Sequence, residues 1–319
     1  MDKEKIIPIF FCFDKNYVIP AAVTFYSLLN NANKDFFYEM FVLSSDISVK
    51  DQNLLKKTIK KFKNSSLKFI NMKHKFKSVW PDKRLTKEVL YKMLAAEVFP
   101  NHDWIISSDV DVVFTGDVSE SKNFVGNYPL YGFKTPGRLL NWFERKPELI
   151  RAEILEIFQK GYIGGGFLVF NLDYIRKNNT QRDFLKNFEK YKDVINEAEQ
   201  DIINLTLRGN VGFLPLKFCL CTYMYNMYGK KDSYTTLVDG HFFDYVFKRY
   251  KSNLDNDEIY SKEELLDAFE NPIQIHYATP VKPWNKTFTR KKSIWIFYLI
   301  RTPFFTKYMR ERFKSLLNR

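Results

Sequence analysis

The sequence predicts an α/β fold with a helix-flanked, largely parallel sheet, on three observations. Short apolar runs alternate with helical patterns through the first half of the chain, the order produced when parallel strands are joined by crossover helices. One of those runs, residues 103–107, reads as a strand buried on both faces. The chain has 319 residues and 45% hydrophobic content, enough to bury a substantial core in one large domain or one domain with an appendage.

Residues 6–13 form the first strand; acidic Asp2 and Glu4 before it and Asp14 after it do not suit a signal peptide. Pro20 and the spacing of Val23, Leu28 and Leu29 then predict a helix. A strand at 38–43, a lysine-faced helix at 49–62 and a strand at 67–70 complete a half-domain of nucleotide-binding style. A helix over 86–99, capped by Thr86, leads into the buried strand at 103–107. Further on, a glycine-rich turn at 161–166 precedes a strand at 167–170, and residues 197–208 read as helix. Residues 222–265 lack periodicity and read as surface loops with short helices, before a last strand at 273–275 delivers His276.

Composition narrows the function classes. Lys+Arg number 50 against 37 Asp+Glu, a formal net charge of +13, so the surface should attract anions such as phosphates, nucleic acid or acidic lipid headgroups. Three cysteines, Cys12, Cys219 and Cys221, do not make a secreted disulfide framework and suit a reducing compartment. Cys219 and Cys221 lack a second pair or nearby histidines in sequence, and they read as small buried side chains. No stretch approaches the roughly 20 apolar residues that span a bilayer, so a cytosolic or peripherally attached protein is expected.

Ligands in open α/β sheets bind beyond the carboxyl ends of the strands, which is where Ser108-Asp109-Val110-Asp111 lies. Carboxylates at i and i+2 of an extended segment point to one side, so Asp109 and Asp111 can converge on one cation while Val110 points away. Their oxygens suit Mg²⁺ or Mn²⁺, and a histidine ligand, for which His276 is best placed, tilts the choice to Mn²⁺. A second Asp-x-Asp, at Asp255 and Asp257, sits in a polar stretch without the glycine of an EF-hand loop and reads as solvated. Around His276, residues 276–284 gather Thr279, Lys282 and aromatic rings in a proline-stiffened loop able to close over a diphosphate and sugar.

From about Ile6 to Trp284 the chain resembles the retaining glycosyltransferases of family 8, which include bacterial lipooligosaccharide galactosyltransferases and glycogenin. The matching segments are Phe13 to Tyr17, Ser108 to Asp111, Gly164 to Asn171, Glu199-Gln200-Asp201, and His276-Tyr277 through Lys282-Pro283-Trp284. The resemblance implies a GT-A type fold, a Rossmann-like mixed sheet flanked by helices, and transfer of galactose or glucose from a UDP-sugar donor to an oligosaccharide or glycolipid acceptor. It implies that Asp109, Asp111 and His276 hold Mn²⁺, or else Mg²⁺, against the UDP diphosphate. Asp14, Asn16 and Tyr17 would bind uridine, and Lys282 the diphosphate, with Lys92, Val110 and Thr279 completing the donor set. Gln200 would lie beneath the anomeric carbon, with Glu199 and Asp201 touching sugar hydroxyls. Lys92 stands where relatives often carry arginine, which keeps the charge but loses a bidentate fork. Gly164 stands where asparagine is common, and Pro136 where some members place aspartate; these departures bear on the donor hexose.

The expected division is a catalytic domain over 1–286, with the donor site mainly in 1–115 and acceptor and closing elements in 116–286, followed by a tail over 287–319. In the tail, Arg290, Lys291, Lys292 and Arg301 bracket the apolar residues 294–300, the pattern of an interfacial helix on anionic lipid. That places the protein at the cytoplasmic face of a membrane. Two rivals are disfavoured. A sugar nucleotidyltransferase needs a glycine-rich phosphate loop after its first strand, which Phe13-Asp14-Lys15-Asn16 does not offer. A nucleic-acid-binding protein would explain the charge, but no helix-turn-helix, zinc or RNP pattern is visible, so no nucleic-acid partner is expected.

Overall fold

The computed structural model describes residues 3–76, 86–135, 161–193, 195, 197–226, 260–285 and 289–317. Strand β1 (Ile6–Cys12) shows why the first apolar run is unbroken: Ile7, Ile9 and Phe11 enter one core and Phe10 and Cys12 the other, so neither face meets water. Around it assemble α1 (Val18–Asn30), β2 (Phe37–Ser44), α2 (Val49–Ile59) and β3 (Ser65–Asn71). Ser48 starts α2 by accepting a hydrogen bond from the Asp51 amide at 3.1 Å. Then come α3 (Ala95–Val98), β4 (Trp104–Ser108), β5 (Val112–Phe114), β6 (Leu130–Lys134) and β7 (Ile163–Asn171). The remaining elements are α4 (Leu172–Lys177), α5 (Thr180–Tyr191), α6 (Ala198–Leu207), β8 (Gly212–Leu214), β9 (Leu220–Cys221), α7 (Lys262–Glu270), β10 (Gln274–His276), α8 (Lys292–Leu299) and α9 (Phe305–Leu317).

Among the described residues the main sheet has seven strands in the order β3-β2-β1-β4-β7-β6-β8. It is parallel from β3 to β4, as the alternation predicts, but β7 runs antiparallel to both β4 and β6. The sheet is therefore mixed, as the family resemblance implies: four of its six pairings are parallel, and the two that flank β7 are antiparallel. A second sheet, in the order β5-β10-β9, joins three short strands far apart in sequence: β10 is antiparallel to β5 and parallel to β9.

Two local expectations are corrected. The glycines at 164–166 lie inside β7 rather than in a turn before it, because β7 is held between β4 and β6 and the rings of Phe133 and His276 take the side-chain space at 164 and 166. The segment from Lys87 to Leu94 is 3₁₀ helix that runs into the short α3, and Thr86 makes no side-chain cap bond. Pro136 and the Asp255/Asp257 pair lie outside the described residues, as does most of 222–265; within that stretch α7 begins with a capping box formed by Ser261 and Glu264.

The C-terminal helices pack into the core that contains β1 and α1. Trp295, Tyr298, Leu299, Phe304 and Tyr308 are buried there, and Asn31 Nδ2 donates to Tyr298 Oη at 3.0 Å. Phe297, Ile300, Phe305 and Phe313 remain exposed. Trp295→Ala should therefore destabilise the protein by about 3–5 kcal/mol, read as a lower midpoint in equilibrium urea unfolding. Phe313→Ala at an exposed position should shift stability by no more than about 0.5 kcal/mol. Equal midpoints for the two variants would contradict this packing.

Candidate functional site

The site forms where β4 ends. The Asp109 amide donates to Gly166 O at 3.1 Å, so β7 holds the first carboxylate as it leaves the sheet. Thr24 Oγ1 of α1 lies 2.8 Å from Val110 O and 2.9 Å from Val112 O, which pins the backbone on both sides of Asp111. Next, β5 pairs with β10, with Val112 opposite His276, and the Tyr277 amide donates to Asp111 O at 2.9 Å. These bonds bring His276 Nε2 to 3.2 Å from Asp111 Oδ1 and 3.6 Å from Asp109 Oδ2.

One ligand atom from each of Asp109, Asp111 and His276 lies within 4.8 Å of the other two. Metal–ligand bonds of about 2.1 Å at right angles place neighbouring donors about 3 Å apart, so this oxygen and nitrogen set fits a small divalent ion.

Lysines complete the cluster. Lys282 Nζ lies 2.5 Å from Asp111 Oδ2 and 2.5 Å from Tyr277 O. Lys92, 1% exposed, donates to Asp109 Oδ1 at 2.8 Å, Glu199 Oε1 at 2.8 Å and Gly165 O at 2.9 Å. Three carboxylates thus face two ammonium groups and one imidazole. Burial alone would raise the Asp111 pKa, but Lys282 and then His276 outweigh it and hold the carboxyl well below the usual range. Burial alone would likewise lower His276, yet the charge and hydrogen bond of Asp111 lift it to about 10. Lys92 is driven well above its ordinary value against the cost of burial by Asp109 and Glu199. Burial pushes the Glu199 carboxyl up to about 6, a rise that Lys92 limits and Asp109 reinforces.

The other predicted residues divide. Asp14 accepts from the Asn16 amide at 2.9 Å and from Asn16 Nδ2 at 2.8 Å, so in this state the pair caps its own turn. Tyr17 meets the edge of Trp284 at 5.8 Å, which joins the turn after β1 to the loop that carries Lys282. Burial and then the charge of Asp111 raise the Tyr17 phenol pKa, so its ring borders the cluster. Gln200 accepts from the Gly165 amide at 2.6 Å and donates to Tyr162 Oη at 3.0 Å, beside the Lys92–Glu199 pair.

Three residues stand apart from the cluster. Asp201, 1% exposed, accepts from Tyr162 Oη at 2.6 Å and from the Glu197 amide at 2.8 Å, so its carboxylate anchors the start of α6. Val110 turns its side chain into the core, and Thr279 donates to Val281 O at 3.2 Å within its own loop. The departure at Gly164 has a physical cause, since a Cβ there would lie 2.2 Å from Phe133 Cζ. That ring fills the space in which a side chain would stand.

Sequence reading missed what lies behind His276. Cys219 Sγ and Cys221 Sγ are 3.5 and 4.0 Å from His276 Nδ1, and Gln274 Nε2 is 3.8 Å from Cys219 Sγ. No local pattern signals this; it follows from the parallel pairing of β9 with β10, which sets Cys221 opposite His276.

The sequence profile described as glycosyl transferase family 8 matches residues 8–287. No curated protein sequence matches the chain significantly. Among solved structures, the bifunctional glycosyltransferase WbbM in its apo form is 20% identical with a TM-score of 0.72, over 97% of this chain and 52% of that one. The chain thus spans about half the length of WbbM. Galactosyltransferase LgtC, in complex with donor and acceptor sugar analogues, is 18% identical with a TM-score of 0.69, over 93% and 96% of the two chains. Glycosyltransferase GlyE of Streptococcus pneumoniae is 14% identical with a TM-score of 0.59, over 97% and 64%. These likenesses show a GT-A fold.

The His276 proton carries a test. A raised histidine pKa favours the folded, metal-free protein below pH 6.5, and that contribution is lost as pH rises through about 10. Ligation requires the neutral ring, so one proton should leave for each ion bound. Mn²⁺ affinity by titration calorimetry should therefore rise about tenfold per pH unit across the neutral range. A pH-independent affinity would contradict the assignment of His276 as ligand.

Proposed function

The chain belongs to glycosyl transferase family 8, and from that premise we propose that it is a retaining hexosyltransferase. It moves galactose or glucose from a UDP-sugar to an oligosaccharide or glycolipid acceptor in the synthesis of a bacterial surface polysaccharide such as lipopolysaccharide. The observation that carries this reading is the convergence of Asp109, Asp111, His276 and Lys282 at the carboxyl end of β4.

Transfer breaks a glycosyl–phosphate bond and leaves negative charge on the departing UDP, so the site must hold positive charge against a diphosphate. A divalent cation, Mn²⁺ or Mg²⁺, held by Asp109, Asp111 and His276 supplies Lewis-acid neutralisation of that charge. Lys282 adds a mobile cation: its ammonium rests on Asp111, and once that carboxylate serves as a ligand it is free to turn to the phosphates. Lys92 has the opposite task. Buried with three acceptors, it fixes Asp109 and Glu199 relative to each other and keeps their mutual repulsion from opening the site.

Tyr17 and Trp284 offer ring surface to the uracil on the side of the cluster where Asp14 and Asn16 stiffen the turn. Gln200 is held by Gly165 and Tyr162 at the same junction as Glu199, which supports its assignment to the residue beneath the anomeric carbon. The depressed pKa makes Asp111 a poor base, and Asp109 is tied to Lys92. In this reading the acceptor hydroxyl proton passes to a departing UDP oxygen on the same face of the sugar; a double displacement through an enzyme carboxylate is the alternative route to the same retained configuration.

The tail supports peripheral attachment to the cytoplasmic face of a membrane. Exposed Phe297, Ile300, Phe305 and Phe313 share α8, α9 and the link between them with exposed Arg301, Arg310 and Lys314. No described helix is long and apolar enough to cross a membrane.

Two experiments test these readings. Asp111→Asn should keep the circular dichroism spectrum but lower UDP release from the preferred sugar nucleotide by about 10²-fold or more, as chelation of the metal should in the unaltered protein. Full turnover in that variant would remove the metal from the mechanism. In flotation assays the protein should bind anionic liposomes and lose binding as salt rises, and Phe305→Ser with Phe313→Ser should weaken it. Equal binding to neutral vesicles would overturn the attachment proposal.

A further inference from the structure

Behind the catalytic face of His276 lies a second set of donors, which the sugar-transfer reading does not use. Cys219 and Cys221 are 0% and 3% exposed, and one ligand atom from each, with one from His276, lies within 4.8 Å of the other two. The thiols approach Nδ1, whereas Asp109 and Asp111 approach Nε2, so the two donor sets take opposite nitrogens of one ring. We propose that Cys219, Cys221 and His276 Nδ1 form a site for a thiophilic divalent cation, Zn²⁺ or Cd²⁺, back to back with the Asp109/Asp111 site.

The geometry fits such an ion. Zn–S bonds of about 2.3 Å and Zn–N bonds of about 2.0–2.1 Å at a tetrahedral angle set sulfur and nitrogen about 3.6 Å apart. The observed separations are 3.5 Å for Cys219 and 4.0 Å for Cys221, so the donors already stand near ligand spacing. Gly166 makes the room: a Cβ there would lie 2.6 Å from His276 Nδ1 and 3.0 Å from Cys219 Sγ.

Outer partners are present as well. Gln274 Nε2 points to Cys219 Sγ at 3.8 Å while it donates to Gly166 O at 3.2 Å, the kind of hydrogen bond that orients a thiolate ligand. The donor chemistry separates this site from its neighbour, because two thiolates and an imidazole select Zn²⁺ or Cd²⁺, whereas carboxylates select Mg²⁺ or Mn²⁺. On binding, both thiols and the Nδ1–H release their protons to solvent, and where an ion also sits at Nε2 the ring bridges the two sites as the imidazolate. Three protein ligands leave a fourth position for water.

The experiment uses CdCl₂ as probe on the full-length, reduced chain with MgCl₂ in excess. One equivalent of Cd²⁺ should produce a thiolate-to-cadmium absorption band in the near ultraviolet, and ZnCl₂ should displace it. Cys219→Ser and Cys221→Ser should each weaken binding by about 100-fold or more, because even outer-shell losses cost about 10–100-fold. Cys12→Ser, which alters the opposite core, should leave the band unchanged. Asp111→Asn removes a partner of His276 Nε2 and should lower Cd²⁺ affinity by no more than about 10–100-fold while the band still saturates at one equivalent, which separates this proposal from the sugar-transfer reading: that variant loses transfer and keeps the band. A band that never saturates at one equivalent, or that survives loss of both Cys219 and Cys221, would overturn the proposal. Should the serine variants fail to fold, alkylation of the unaltered chain decides: Zn²⁺ should protect Cys219 and Cys221, and equal labelling with and without the metal would sink it.

Discussion

The pairing of three very short strands is the constraint on which the site depends. Asp111 and His276 are 165 positions apart in the chain, and their side chains meet because β10 is trapped between β5 and β9. The Tyr277 amide bonds to Asp111 O, and the Thr222 amide bonds to His276 O, so the backbone on each side of the imidazole is fixed by a different segment. A buried polar backbone must find such partners, and here the partners are also the segments that carry the chemistry. Helix α1 closes the arrangement from below through Thr24 and Ser27, whose hydroxyls bind the backbone of residues 110–114.

Charge compensation offsets the cost of gathering these ionised groups in one place. Two like carboxylates at this distance would repel, and burial would make each costly, but Lys92, Lys282 and a protonated His276 answer Asp109, Asp111 and Glu199. The two lysines are placed differently. Lys92 is enclosed and joins the end of β4 to β7 and α6 through its three acceptors, whereas Lys282 sits on a loop at the edge. One cation therefore lies inside the site and the other at its rim. A lysine is well suited to the inner position, because the ammonium makes three separately directed bonds where a planar fork would favour one carboxylate.

Much of this was legible in the sequence, and what was not has identifiable causes. The alternation of apolar runs with helical spacing predicted β1 to β4, since strands buried on both faces write a local signature. The position of Asp109 and Asp111 at a strand exit was equally local. The antiparallel insertion of β7 was not, because an apolar strand reads the same in either direction. The glycines of β7 read as a turn, yet Gly164 and Gly166 are small because Phe133 and His276 occupy their side-chain space, a fact that only the packed neighbours reveal. The partners of Asp201 were not legible either: successive helix positions diverge, and its carboxylate binds Tyr162 and the Glu197 amide while Glu199 binds Lys92. Cys219 and Cys221 were passed over for want of a nearby histidine, and strand pairing supplied one. The tail's basic and aromatic pattern suggested a surface element; burial of Trp295 beside β1 and α1 shows that part of it belongs to the core.

If Asp109, Asp111 and His276 grip one divalent ion against a diphosphate, anomalous diffraction at the manganese edge, from crystals grown with MnCl₂ and UDP, should reveal it. One strong peak is expected within about 2.0–2.3 Å of both carboxylates, of His276 Nε2 and of phosphate oxygens, with Lys282 turned from Asp111 towards the diphosphate. UDP bound with no peak between those three side chains would contradict that assignment.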